Sequence, residues 1–350
     1  MNSKNIKRLL RLSPFAKSKL YHYVRFLVKE KGIKKTVEKR GEDFQYWKPI
    51  LKEAMVNYHW DPDEVYMYNY LAISPEQRIE FVPEYEKNIF CDKVNDYEGS
   101  RVFDSKWKSY CVFKQFYKRD CCRLTKDLLW RGDNGLDSFL RSHLDFIFKP
   151  DSNASGRGIE IIHSKSYEES VNLLKTMMAD RRGSFVLEEL IPQNPLMGRF
   201  HPSSVNSLRI RTFRFDDRVE ILPSNMRIGQ GSSVVDNTGQ GGISAAIDES
   251  GCIFTACDEA GILYETHPDS GERIIGEIVP CWEEAISFAK RLALVVPSVR
   301  YVGWDLALTD SGWVMIEGND KGMFVGIQKP RQRGFRPQMD RILSELQLKL

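Results

Sequence analysis

Hydrophobic and polar positions follow two different periods along this chain, and the change falls near residue 90. Before it, apolar and aromatic residues recur three and four positions apart, as in DFQYWKPILKEAMVNYHW, which predicts a mostly helical region over 1–90. After it, short runs alternate apolar with polar residues between Gly, Pro and Asp, as half-buried antiparallel strands do. Helical periodicity returns in 167–180, 281–295 and 336–347. This mixture predicts an α+β fold over 91–350.

The composition is that of an ordinary globular protein with room for two or three domains. Of its 350 residues, 42% are hydrophobic and 28% are charged. No run of about 18 apolar residues is present, and the first twenty residues lack the apolar core of a signal peptide, so we expect a cytoplasmic protein. The seven cysteines are odd in number and irregularly spaced, which predicts neither a zinc site nor a disulfide framework.

The charge is concentrated at the N-terminus. Residues 1–40 contain 13 Lys or Arg and 2 Glu, a local charge of +11, although the whole chain carries only +3. Apolar residues between Leu9 and Val28 have the spacing of an amphipathic helix at a membrane interface. Two interpretations stay open: contact with the inner face of a membrane or a lipid-linked acceptor, and a solvated helical extension. Nucleic acid is not predicted as a partner, because no helix-turn-helix or RNA-binding motif is found.

A small-residue loop between two predicted strands is the first candidate site. In FIFKPDSNASGRGIEII, a strand ends at Lys149, and a loop containing Ser155, Gly156 and Gly158 follows. Its backbone amides could approach phosphate oxygens closely, and Lys149 would add a positive charge. The loop is not a P-loop, since GxxxxGK[ST] is absent. By itself it is equally consistent with a simple hairpin.

The run SFVLEELIPQNP predicts a buried strand that ends in two acids. An adenine ring needs a hydrogen-bonding backbone edge beside apolar walls, and Glu188, Glu189 and Leu190 offer such an edge. The alternative is that both acids are merely solvated.

A second pair of strands, YVGWDLALTDSGWVMIEGND, predicts a metal site. A turn at Asp310 folds the pair into a hairpin, which can bring Asp305 beside Glu317, and alternation puts Asn319 on the same face as Glu317. Two carboxylates and an amide oxygen suit Mg²⁺, which takes its remaining ligands from water and phosphate. The alternative is a salt bridge from Asp305 to Arg or Lys.

Arginines on the intervening strands are candidates for catalysis. Alternation places Arg209 and Arg211 on one face, and Arg227 lies on a neighbouring run. Together they could bind the γ-phosphate of ATP or a substrate carboxylate, although each is also consistent with ordinary surface charge. The cluster of Gly239, Gly241 and Gly242 in the run 236–248 predicts a mobile loop, able to close over the reaction centre.

In this order the segments resemble the ATP-grasp superfamily. More narrowly, the runs NSLRIRTFRF, DNTGQGGISAAID and WDLALTDSGWVMIEGN resemble the sugar-transfer-associated ATP-grasp proteins found with polysaccharide biosynthesis, and the resemblance covers about residues 90–345. It implies an ATP-grasp domain over 91–350, in which two α+β subdomains clamp the nucleotide and Mg²⁺ bridges its phosphates.

The resemblance also implies roles for individual residues. Lys149 and an earlier lysine, Lys106, would contact the phosphates, and Glu188, Glu189 and Leu190 would border the adenine. Gln193 lies near the position where the family often has an acid that binds the ribose; here the side chain is an amide. The family's metal-binding Glu-x-Asn pair corresponds to Glu317 and Asn319.

The implied reaction joins a small-molecule carboxylate to an amine. The carboxylate would attack the γ-phosphate of ATP to give an acyl phosphate, which the amine would then capture. We expect a ligase that attaches an amino acid or similar group, sugar-linked or free, in surface-polysaccharide assembly. Two alternatives keep the ATP site: a kinase acting on a sugar or alcohol, and a nucleotide-binding, non-catalytic partner of a glycosyltransferase complex.

Overall fold

The backbone of the computed structural model divides into two units by its internal contacts. The model describes residues 13, 18–152 and 158–350. Unit 1 contains the chain up to Asp96 together with Glu259–Leu263 and Lys321–Leu350, and unit 2 contains Tyr97–Asp258 and Tyr264–Asp320. The domain boundary after residue 90 stays a prediction.

Unit 1 is helical among its described residues. Its helices are α1 (Lys19–Lys39), α2 (Phe44–Asn57), α3 (Pro62–Met67), α4 (Pro75–Glu80), α5 (Glu84–Val94), α13 (Val325–Arg331) and α14 (Arg336–Glu345), with a 3-10 turn at Tyr70–Ala72. Helix α1 begins at Ser18, whose Oγ accepts the Tyr21 N–H at 3.2 Å and so satisfies one free backbone donor. Aromatic residues, among them Trp60 and Tyr68, fill the core. In the part of the chain that is described, no helix is both long and apolar enough to cross a membrane.

The strands of unit 2 form two antiparallel sheets. Among the described residues they are β1 (Cys121–Leu124), β2 (Asp145–Pro150), β3 (Glu160–His163), β4 (Phe185–Glu189), β5 (Ser207–Arg214), β6 (Val219–Ile228), β7 (Ile243–Ile247), β8 (Ile253–Cys257), β9 (Tyr301–Thr309) and β10 (Gly312–Asn319). The small sheet has the order β1-β4-β2-β3, and the large sheet has the order β10-β9-β5-β6-β7-β8. Every pairing between these strands is antiparallel.

Helices cover these sheets. They are α6 (Tyr97–Ser100), α7 (Lys106–Tyr117), α8 (Lys126–Arg131), α9 (Asn134–Ser142), α10 (Tyr167–Met178), α11 (Pro195–Gly198) and α12 (Trp282–Ala293), with a 3-10 turn at Thr238–Gln240. Helix α12 packs Phe288 and Leu292 into the core of the large sheet, because its apolar residues recur on one face. Helix α7 contacts both β1 and β10, so it joins the small sheet to the large one.

The α+β class is confirmed. The three predicted helices are present as α10, α12 and α14, each ending about two residues early. Helices α7, α8 and α9 were not predicted. The run KWKSYCVFKQFY is dense in aromatic residues, and such a short run can be read with either period. In the structure it is helical, and its buried residues, such as Tyr110, Phe113 and Tyr117, lie on one face.

Candidate active site

The centre of the small sheet contains a buried cluster of charges. Glu188 on β4 is 2% exposed, and its two oxygens accept hydrogen bonds from Lys149 Nζ at 2.5 Å and from Arg119 Nη2 at 2.7 Å. Burial alone would raise the pKa of Glu188, but the charges of Lys149 and Arg119 outweigh it and lower the pKa to about 2. Glu188 therefore fixes the position of Lys149, the residue predicted to contact phosphate.

Arg119 extends this cluster to the large sheet. Its Nη1 donates to the carbonyl oxygen of Met315 on β10 at 2.6 Å. The guanidinium thus links β4 with β10, the strand that carries the predicted metal ligands.

Lys106 begins α7 and interacts electrostatically with two residues: Lys149, which is predicted to bind phosphate, and Glu317, a predicted metal ligand. Burial lowers its pKa, while Glu317 opposes that shift and Lys149 adds to it. The first turn of α7 is fixed by Asp151, whose carboxylate accepts the Trp107 N–H at 2.9 Å and whose carbonyl oxygen accepts the Lys106 N–H at 2.9 Å. The charges of Lys149 and Glu317 therefore both act on the Lys106 ammonium.

The predicted adenine edge begins where β4 ends. Glu189 and Leu190 are half-buried there. The Glu189 side chain accepts the Asp120 N–H at 3.0 Å, and the Glu189 N–H donates to the Asp120 carbonyl oxygen at 3.0 Å. The Asp120 carboxylate in turn is 3.2 Å from His143 Nε2. These bonds hold the strand exit in a fixed conformation.

Gln193 uses its side-chain amide within the protein. Its Oε1 accepts the Asn206 N–H at 2.5 Å, and its Nε2 donates to the Ser204 carbonyl oxygen at 3.1 Å. In this structure the residue holds the segment that leads into β5, and its role toward a ribose stays a prediction.

The structure brings two of the three predicted metal ligands into register. Asp305 on β9 pairs directly with Glu317 on β10, and a bulge between Met315 and Glu317 sets this register. The Glu317 carboxyl lies within hydrogen-bonding reach of Asp305. Asn319 is two residues further along β10, and its Nδ2 donates to Glu317 Oε1 at 3.3 Å.

Asp305 also has arginine partners. Arg209 binds both of its oxygens, the Nη2–Oδ2 contact being 2.7 Å, and Arg227 Nη2 is 2.8 Å from Oδ2. Burial would raise the pKa of Asp305, but the two guanidinium groups outweigh it and lower the pKa below the usual range. The salt bridge considered as the alternative is thus present, and it coexists with the pairing to Glu317.

Arg227 also forms an ion pair with a second acid, Asp236. Its Nε lies 3.7 Å from Asp236, and its Nη2 donates to Ser207 Oγ at 2.9 Å. Asp236 also accepts the Ser207 N–H at 2.9 Å. These contacts orient the guanidinium toward Asp305.

Arg211, the third predicted arginine, has hydrogen-bond partners on β6. It is 2% exposed, and its Nη1 donates to Asn225 Oδ1 at 2.9 Å and to the Pro223 carbonyl oxygen at 3.1 Å. A register shift between β5 and β6 beside Arg209 and Arg211 gives them different partners. The structure therefore brings together Arg209 and Arg227 at Asp305, while Arg211 binds β6.

The predicted phosphate loop is described only at its ends. Ser155 and Gly156 lie outside the described residues. Gly158 has a φ of +76°, a conformation that favours glycine, and an added Cβ would be 3.1 Å from Pro150. Gly158 thus lies beside Pro150, the last residue of β2.

Sequence reasoning missed Arg119 and Asp236. Arg119 lies outside the motifs of the sequence and acts on a residue 69 positions away, and Asp236 begins the glycine-rich run 236–248, where no role was predicted for its carboxylate. Arg119 lies next to the end of β4 because Cys121 pairs with Glu188, and a single sequence does not reveal a pairing between such distant segments.

The donor set fits a magnesium ion. Glu317, Asn319 and Asp305 offer oxygen atoms, which Mg²⁺ prefers, and two facing carboxylates are favourable only with positive charge nearby. Arg209 and Arg227 supply part of that charge from the side of Asp305, while Glu317 and Asn319 remain half-buried.

Two antiparallel sheets, the buried lysine of the small sheet and the paired acids of the large one define a protein of the ATP-grasp class. A family model for sugar-transfer associated ATP-grasp proteins matches residues 87–344, about three quarters of the chain, so the chain belongs to this family. That membership fits an ATP-dependent ligase. None of the curated proteins compared matches the sequence.

Several solved structures of ATP-grasp enzymes resemble this chain, with low sequence identity and with TM-scores below 0.5. A D-alanine–D-alanine ligase from Bacillus anthracis is 17% identical, with a TM-score of 0.38 over 65% of this chain and 59% of its own. D-alanyl-alanine synthetase A from Vibrio cholerae is 10% identical, with a TM-score of 0.44 over 72% and 66%. The ATP-grasp ligase PsnB with its minimal precursor is 12% identical, with a TM-score of 0.43 over 84% and 75%. An N5-carboxyaminoimidazole ribonucleotide synthetase is matched over only 46% of its length.

Proposed function

We propose that this protein is an ATP- and Mg²⁺-dependent carboxylate–amine ligase that acts through an acyl phosphate. The observation that carries the proposal is the pair of contacts made by Arg119, which binds Glu188, the partner of Lys149, and the carbonyl oxygen of Met315, two residues before Glu317. These contacts support a single site within unit 2, in which a triphosphate would meet Lys149, Lys106 and the proposed metal ligands.

In the proposed reaction, a carboxylate oxygen of the donor attacks the γ-phosphorus of ATP and ADP leaves. The nitrogen of the amine then attacks the carbonyl carbon, loses a proton, and expels phosphate to leave an amide. Mg²⁺ held by Glu317, Asn319 and Asp305 would neutralise negative charge on the phosphates. Lys149 and Lys106 would bind phosphate oxygens, while Arg209 and Arg227 present positive charge beside the metal site.

Both substrates are proposed to be small molecules, at least one of them linked to a sugar in polysaccharide assembly. The support is the family to which residues 87–344 belong, whose description is sugar-transfer associated. This reaction chiefly requires the protein to position its reactants and to screen the negative charge of the phosphates. No nucleophilic side chain is therefore required.

The test is capture of the acyl phosphate by hydroxylamine. The protein is incubated with Mg·ATP, hydroxylamine and a panel of amino acids and sugar acids, and both ADP and hydroxamate are measured. We expect equal amounts of the two with the correct carboxylate, and loss of both in Glu317→Gln, while Glu284→Gln, an exposed acid of α12, stays active. ADP formed with an alcohol and a stable phosphate ester would instead indicate a kinase. Nucleotide binding without turnover across the panel would indicate a non-catalytic partner.

A further inference from the structure

Helix α1 has two apolar faces, and one of them is exposed. His22, Phe26, Ile33 and Val37 are buried against unit 1. On the opposite side Leu20, Val24, Leu27 and Val28 are 62%, 45%, 47% and 79% exposed. A helix that only packed on unit 1 would carry polar residues at those four positions.

The exposed residues form a stripe. Leu20, Val24 and Val28 are four positions apart, and Leu27 lies between two of them on the same side. Single exposed apolar residues are common on protein surfaces, whereas a continuous stripe marks a surface that binds something.

The same face continues with lysines. Lys31 follows Leu27 by one helical turn, Lys35 follows Lys31 by another, and both are exposed. The acids of the helix already have partners: Glu30 is 2.6 Å from Lys48, and Glu38 is 3.6 Å from Lys34. The stripe therefore ends in uncompensated positive charge, and residues 1–17 add further Lys and Arg without any acid.

We propose that α1 lies along the surface of an anionic lipid bilayer. The apolar stripe would enter the boundary between headgroups and acyl chains, and the lysines would bind the anionic headgroups. A second copy of the chain is a poorer occupant, because it would bring two strongly basic helices together. Such docking would hold the protein at the membrane surface through α1.

Sedimentation with vesicles tests this docking. Vesicles of phosphatidylcholine with one third phosphatidylglycerol should carry the protein down, and phosphatidylcholine vesicles should not. Each lysine near an anionic surface strengthens binding about fivefold, so Lys31→Gln/Lys35→Gln should bind about thirtyfold more weakly. The matched control, Lys165→Gln/Lys175→Gln on unit 2, makes the same change in net charge at exposed positions and should bind as the wild type does.

A second pair of variants tests whether the apolar stripe contributes to vesicle binding. Leu20→Glu/Leu27→Glu should abolish sedimentation, while Leu71→Glu/Ile79→Glu, which alters two other exposed apolar residues of unit 1, should not. Circular dichroism and melting temperature show whether each variant is folded, and Mg·ATP binding by the same samples reports separately on the proposed ligase site. Equal sedimentation of all folded variants would overturn the proposal. So would a dimer in light scattering that Leu27→Glu converts to a monomer, since a second copy would then cover the stripe.

Discussion

Asp305 and Glu317 occupy opposite positions on β9 and β10, and their carboxyl groups lie within hydrogen-bonding reach of each other. Arg209 and Arg227 approach the pair from the side of Asp305. Two adjacent carboxylates share a site stably only when a shared proton or nearby cations offset their repulsion. The proposed function adds a metal cation next to Glu317 and Asn319, the residues on the other strand from these arginines' partner Asp305.

Replacing Glu317 by Gln should weaken the binding of Mg²⁺ by at least about tenfold, because one anionic ligand is lost without a change in size. A titration of Mg²⁺ at fixed concentration of a fluorescent ATP analogue measures the effect. Glu284→Gln serves as the control, since that acid lies exposed at the start of α12. An unchanged Mg²⁺ midpoint in Glu317→Gln would refute the assignment of the metal site.

Replacing Lys149 by Met should lower the free energy of unfolding by about 3 kcal/mol, because Glu188 would lose one of two cations in a buried site. The double variant Lys149→Met/Glu188→Gln should recover part of that loss, since the buried charge is removed as well. Urea unfolding of both single variants and the double variant gives the coupling energy. Additive losses would show that Lys149 and Glu188 do not interact as the structure indicates.

Stability should depend on Glu188 at acid pH. The pKa of this carboxyl is lowered from 4.5 to about 2, so its stabilising contribution is complete above pH 4.5 and is lost as the pH falls toward 2. The contribution amounts to about 3 kcal/mol. The difference in unfolding free energy between the wild type and Glu188→Gln should therefore shrink over that interval. A difference that stays constant from pH 5 to pH 2.5 would be inconsistent with the ion pairs.

Gly242→Ala should destabilise the protein by about 2 kcal/mol, because the new Cβ would lie 2.5 Å from the Asp236 carbonyl oxygen and 2.9 Å from that of Ile228. Both neighbours are backbone atoms, so the segment that carries Asp236, the partner of Arg227, must move. The control is Gly239→Ala, where the nearest atom is at an ordinary 3.6 Å. Urea midpoints compare the two, and equal midpoints would argue against tight packing of this loop.

The sequence carried enough information to place the paired acids. A turn at Asp310 and a spacing of twelve residues put Asp305 near Glu317, and the hairpin β9–β10 has that pairing. Local chain geometry makes the hairpin predictable, but alternation and the turn do not set its final register, because the bulge between Met315 and Glu317 brings Glu317 opposite Asp305. The strand that ends at Glu188 and Glu189 was predictable because its run is short and apolar.

Contacts between distant segments could not be predicted. Arg119 reaches Glu188 and Met315 only because β1 pairs with β4 and α7 packs on β10. Arg211 fits the alternation with Arg209, yet the shifted register of β6 gives it Asn225 as a partner. Long-range pairing and bulges decide these positions, and neither leaves a periodic signal in one sequence.

The most direct test of the account is the melting temperature with and without Mg·ATP, measured for the wild type and for Glu317→Gln. Saturation at about one hundred times Kd adds roughly 2.7 kcal/mol of stability. In a chain of this size the melting temperature should then rise by on the order of 5 °C. We predict that rise for the wild type only when Mg²⁺ is present, and a much smaller rise for Glu317→Gln. No shift in the wild type at millimolar Mg·ATP would contradict the central claim that unit 2 holds a nucleotide and its metal.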